Sequence, residues 1–127
     1  MTIETLGLIN DGMTELGLEY QFGTYDKRPI VYPYWVGEYQ EFDTITEDGL
    51  QETTVILNGF SRGSWLDLER DKAKIENYFG RVSAKTVITD SGSGVAVSFS
   101  DALIVPTGDA ELKRMQINLK VQEWKVN

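Results

Sequence analysis

Residues 112–126 read Leu-Lys-Arg-Met-Gln-Ile-Asn-Leu-Lys-Val-Gln-Glu-Trp-Lys-Val. Met115, Ile117, Leu119 and Val121 alternate with Gln116, Asn118, Lys120 and Gln122, the period of two that a strand imposes on its side chains. A strand patterned this way buries one face and wets the other, and it belongs in an antiparallel or mixed sheet with a one-sided core. Trp124 falls on the polar register of that strand. Upstream, Pro106-Thr107-Gly108-Asp109 is turn chemistry and 95–105 reads as the preceding strand, with Ser100-Asp101 marking a bulge or bend inside it. Asp90-Ser91-Gly92-Ser93-Gly94 reads as a further hairpin turn, after a strand over 84–89.

Toward the N-terminus the period changes. Trp65, Leu68, Ile75, Tyr78 and Phe79 share one helical stripe, interrupted by Lys72, while Glu69, Arg70, Lys74 and Glu76 take the other faces. Ser64 with Asp67 resembles a capping box, and Gly80 suits the C-terminal cap. Ile3, Leu6, Ile9, Met13 and Leu16 form a second stripe with Thr2 as N-cap. Gly7, Gly12 and Gly17 weaken that helix by about 1 kcal/mol for each interior glycine, which suggests a stop near Asn10. Between the helices, a short strand around 19–22 precedes two long ones at 34–46 and 51–61, joined by a Glu47-Asp48-Gly49 turn and opened by Pro33. The order helix, strands, helix, strands predicts an α+β domain: an antiparallel or mixed sheet with a long hairpin and two helices packed on one face.

The chain has 127 residues, 41% hydrophobic and 25% charged, which suits a single domain spanning 1–127. Twenty acids against twelve bases give a net charge of −8, which disfavours nucleic acid as a partner. With no cysteine and no histidine, a disulfide, a thiolate nucleophile, a Cys/His zinc site and a Ser-His-Asp triad are excluded. The N-terminus lacks the basic and apolar regions of a secretory signal, and no apolar run approaches the roughly 20 residues of a membrane-spanning helix. Synthesis in the cytoplasm and no membrane partner are expected.

Carboxylates are plentiful, but their spacing matches no calcium loop, and on a strand Glu38 points away from Glu41 and Asp43. The glycine-rich 90–94 segment lacks the lysine of a phosphate loop. No metal, no cofactor and no catalytic residues are therefore expected. Tyr32, Tyr34, Trp35 and Tyr39 form an aromatic group, and alternation puts the first two on one strand face and the last two on the other. Such aromatics fill a sheet core, a subunit interface or a ligand-stacking surface. Glu38, Glu41, Asp43, Glu47, Asp48 and Glu52 make 38–52 strongly acidic, whereas 111–127 carries Lys113, Arg114, Lys120 and Lys125 against Glu111 and Glu123. These opposite charges suit a head-to-tail ring in which one subunit's acidic hairpin meets the next subunit's terminal strand; two solvated surfaces are the plainer alternative.

Tyr32-Pro33-Tyr34-Trp35-Val36-Gly37-Glu38-Tyr39, then Asp43-Thr44, the 47–49 turn, and a second strand ending Gly59-Phe60-Ser61-Arg62 before an amphipathic helix together resemble the tail completion or tail terminator proteins of long-tailed bacteriophages. The likeness covers nearly the whole chain in element order, with polar Ser83 and Lys85 departing from the apolar strand that follows the second helix in several relatives. The resemblance implies a structural role in the virion: a ring, commonly of six subunits, that caps the head-proximal end of the tail tube and meets the tube protein on one side and the head connector or neck protein on the other. Its interface candidates here are Tyr34, Trp35, Glu38, Glu41, Asp43, Glu47, Asp48, Glu52, Lys113, Arg114, Lys120 and Trp124, together with the 106–111 loop.

Three other readings compete. One is another phage neck or head-completion protein. A second is a monomeric module binding a peptide or small ligand through Tyr34, Trp35 and Trp124. The third is a carboxylate-dependent hydrolase using Glu41 and Asp43.

Overall fold

The computed structural model describes residues 1–41, 49–80, 85–89 and 92–124. Helix α1 (Ile3–Glu15) is followed by strands β1 (Tyr20–Phe22), β2 (Tyr34–Glu41) and β3 (Leu50–Arg62). Helix α2 (Trp65–Phe79) and strands β4 (Lys85–Ile88), β5 (Gly94–Val105) and β6 (Leu112–Trp124) complete the order. The strands form one sheet in the order β1-β2-β3-β6-β5-β4. β1 and β2 run parallel and every other neighbouring pair is antiparallel, so the fold is α+β with a mixed sheet. No described helix is long and apolar enough to cross a membrane.

β6 sits at the centre, paired with β3 over 13 positions and with β5 on its other side. Its alternation is realised: Met115, Ile117, Leu119 and Val121 are all buried. Across the ladder, the odd-numbered Val55, Leu57, Val95, Val97 and Phe99 join them, with Trp35 from β2, Ile9 and Met13 from α1, and Leu68, Ile75 and Phe79 from α2. The Ser100-Asp101 irregularity appears as a register shift between Phe99 and Asp101. β2 pairs with β3 from Tyr34↔Phe60 to Glu41↔Thr53. The turn expected at Glu47-Asp48, the junction residue Ser83, part of the 90–94 turn and the end of the last strand lie outside the described residues.

α1 does not stop at Asn10; it runs on through Gly12 to Glu15. Gly12 is buried against α2, where a Cβ would come within 2.7 Å of Tyr78 Cε1, and the Tyr78 hydroxyl donates to the Glu15 carboxylate at 3.0 Å. The missing side chain lets the helices approach, and that packing outweighs the propensity loss of roughly 1 kcal/mol. Thr2 caps α1 by accepting from Thr5 N at 3.2 Å. Ser64 caps α2 by accepting from Leu66 N at 3.0 Å. Asp67 does not complete a capping box; its carboxylate takes the Ser61 hydroxyl at 3.4 Å and pairs with Arg70 at 3.7 Å.

Trp35 corrects an expectation. It is fully buried, so it belongs to the core and not to an interface. Its cross-strand partner is Gly59, and a Cβ there would meet the indole ring at 2.6 Å; the glycine makes the space in which the ring lies. The indole Nε1–H donates to Asp71 Oδ2 on α2 at 2.9 Å, which meets the requirement that a buried donor find an acceptor.

Candidate functional site: an aromatic and arginine surface on the sheet

The even-numbered positions of β3 and β6 point away from the core. Tyr34, Phe60 and Arg114 stand in one cross-strand row, and Val36, Asn58 and Gln116 in the next. The Tyr34 ring is packed on three sides: against Tyr25 at 4.1 Å between centroids and 11° between planes, against Phe60 at 5.1 Å and 24°, and against Tyr32 at 5.6 Å. The Arg114 guanidinium lies 5.6 Å from the Phe60 centroid and Arg62 lies 5.9 Å from that of Tyr32, within range of cation–π attraction. Tyr25 is held in place from two sides, since its hydroxyl donates to Glu19 at 3.2 Å and accepts from Val31 N at 3.1 Å.

Polar groups fix the rim. Arg114 Nη2 donates to Asn58 Oδ1 at 2.9 Å, and Asn58 Nδ2 donates to Glu38 Oε1 at 3.5 Å, a chain that orients cation, amide and carboxylate across three strands. Arg62 Nε donates to the Tyr32 hydroxyl at 3.4 Å, which raises the guanidinium pKa further above its ordinary value. Burial raises the Tyr34 hydroxyl, with the neighbouring Tyr32 and Tyr25 adding to it. Thr24, Tyr25, Tyr34, Val36, Glu38, Asn58, Phe60 and Arg114 together line a shallow open groove of about 400 Å³. A preordered Tyr/Phe/Arg surface with a polar rim is the composition that carries binding energy in protein interfaces.

Of the twelve candidates, this surface gathers Tyr34, Glu38 and Arg114. Glu52 and Lys120 meet each other instead, at 3.9 Å on adjacent strands, and Glu52 also accepts from Gln122 at 3.3 Å. Part of the charge complementarity expected between subunits is thus present within one chain, as an exposed pair of small energetic worth. Glu41, at the end of β2, is partnered by the Met1 amino group. Lys113 reaches the Ala110 carbonyl and lies 6.0 Å from the Trp65 ring. Trp124 is half-buried, with a Cβ at Gly94 falling 3.6 Å from its ring. It stands ten positions along β6 from Arg114, about 33 Å away at strand rise. One pocket formed by Tyr34, Trp35 and Trp124 is therefore ruled out. Asp43, Glu47 and Asp48 lie outside the described residues.

Phe60, Asn58, Arg62 and Tyr25 contribute to the surface without being among the twelve candidates. Phe60 and Asn58 were readable as even-numbered strand neighbours of Tyr34, but only once the β2–β3 register was known. Tyr25 sits on a connecting segment, where no periodicity points to it. Among the described residues, no group of three or more acidic side chains comes together in a way that would hold a metal ion. Neither a known protein-family model nor a curated protein matches this sequence.

Proposed function

We propose that this chain is a structural assembly protein of a phage virion, a terminator-like subunit that caps the head-proximal end of the tail tube and joins it to the head connector, working as a ring. The observation that supports the reading most directly is the aromatic and arginine surface. It takes Tyr32, Tyr34, Glu38, Phe60 and Arg62 from two of the segments that carry the resemblance, 32–39 and 59–62, adds Tyr25, Asn58 and Arg114 from outside them, and is ordered before any partner arrives. Ordering those side chains in advance removes entropy that association would otherwise have to overcome. The reading includes a β2–β3 hairpin closed through 42–48 and both helices on the odd-numbered side of the sheet, leaving the even-numbered side for contact.

The test is absolute mass by light scattering across concentration, repeated with purified tail tubes of the same phage. Ring formation or binding confined to tube ends is expected, and Tyr34→Ala should weaken it at least tenfold while the domain stays folded. A strict monomer indifferent to tubes would overturn the reading and turn attention to a small-ligand module at the Tyr25–Tyr34 groove.

A further inference from the structure

The outer edge of β5 is only partly covered. β4 pairs with it from Ile88↔Gly94 to Lys85↔Val97, and Phe99 N donates to the Gly80 carbonyl at 2.7 Å. Beyond the bulge at Phe99/Asp101, no strand among the described residues flanks 101–105, which reads Asp-Ala-Leu-Ile-Val before Pro106. Leu103 is 46% and Ile104 58% exposed. Chains usually blunt such an edge with lysine, proline or a bulge. Here the bulge and Pro106 bound the stretch at its two ends and leave a window of five residues between them, four of them apolar.

We propose that this window pairs antiparallel with the same window of a second copy, joining two sheets across a two-fold axis normal to them. Such an axis keeps each sheet face on its own side, so only residues of the same parity can stand opposite one another. The register that uses the whole window places Leu103 against Leu103 of the second copy, and Asp101 against Val105. Charge favours this arrangement. Asp101 and Arg114 occupy the same face, Asp101 opposite Asn118 and Val105 opposite Arg114 within each chain. The pairing therefore sets Asp101 of one copy in the same row as Arg114 of the other, two strand spacings or about 10 Å apart at the backbone. To span that gap Arg114 exchanges Asn58 of its own chain, to which it donates at 2.9 Å, for Asp101, which there accepts from Asn118 Nδ2 at 2.7 Å; the two acids stay apart. The contact is isologous and closes on itself, so it does not depend on the ring proposed above.

The test uses the full chain with Leu103→Lys and Leu103→Glu, changes at an exposed position. Far-UV circular dichroism and thermal melting verify that both variants fold. Sedimentation equilibrium from micromolar to millimolar concentration should show that either substitution halves the mass of the wild-type particle, and that an equal mixture of the two restores it, because lysine then faces glutamate across the axis. A wild-type chain that is monomeric throughout, a mass that Leu103→Lys leaves unchanged, or a mixture that does not recover overturns the contact. A ring whose mass ignores Leu103→Lys would do so while leaving the capping reading intact.

Discussion

At the scale of the residue, one hydrogen bond ties the sheet to α2. Trp35 Nε1 and Asp71 Oδ2 are 2.9 Å apart, and both residues are buried. Removing the acceptor in Asp71→Ala strands a buried indole N–H and should cost about 1–3 kcal/mol in urea unfolding. Gly59→Ala drives a methyl into the indole ring and should cost a similar 1–3 kcal/mol from overpacking. Asp71→Asn keeps an acceptor and isolates the charge. Burial raises the Asp71 carboxyl above 3.8, opposed by the Trp35 hydrogen bond and by Lys74. Between 3.8 and the raised value the folded chain binds more protons than the unfolded one, so this group's contribution to stability falls as pH rises through that window. The stability of Asp71→Asn relative to wild type should accordingly climb across that window and level off above it. A difference flat with pH would show that the carboxylate is not the strained group. Asp71 was legible in principle, three residues after Leu68 and four before Ile75 on one stripe, but an acid there reads as solvent-facing until the indole is placed over it.

At the scale of the element, β6 was legible because both of its neighbours are strands and its alternation therefore decides burial without help from elsewhere. Leu119 is fully buried at its centre, and Leu119→Asp should unfold the domain, costing more than about 4 kcal/mol as an unpaired charge in the core. A folded Leu119→Asp chain, judged by near-UV circular dichroism, would mean that the buried face has been misassigned. The same parity places Glu123 inward, where Oε2 accepts from Thr2 N at 3.1 Å and from the hydroxyls of Thr2 and Thr5 at 2.9 and 2.8 Å. This carboxylate fastens the start of α1 to the end of β6, an arrangement that charge counting misses because the value of the acid lies in three donors far away in sequence. The end of α1 was illegible for a related reason. Gly12 is unfavourable in an isolated helix and favourable only beneath Tyr78, so propensity pointed the wrong way. The groove was half legible: the strands disclosed Tyr34, Glu38 and Arg114, while bringing them together required the sheet order.

At the scale of the whole molecule, the net charge of −8 makes copies repel at long range, so any contact between them must draw on local complementarity. The cations of β6 are already engaged within the chain, Lys120 with Glu52 and Arg114 with Asn58, yet the Glu52–Lys120 pair is about half exposed and readily exchanged for another partner. An acidic 38–52 segment meeting the next subunit's β6 would exchange such pairs, which keeps the affinity modest, and the six acids of that segment outnumber the exchanged pair, so the affinity falls with rising salt. Glu47→Lys combined with Asp48→Lys should then lower tube capping and flatten its salt dependence, with the melting temperature unchanged. Capping that persists in the double variant over a titration from low to high salt would remove the acidic segment from the interface and leave the contact to the aromatic and arginine surface around Tyr34.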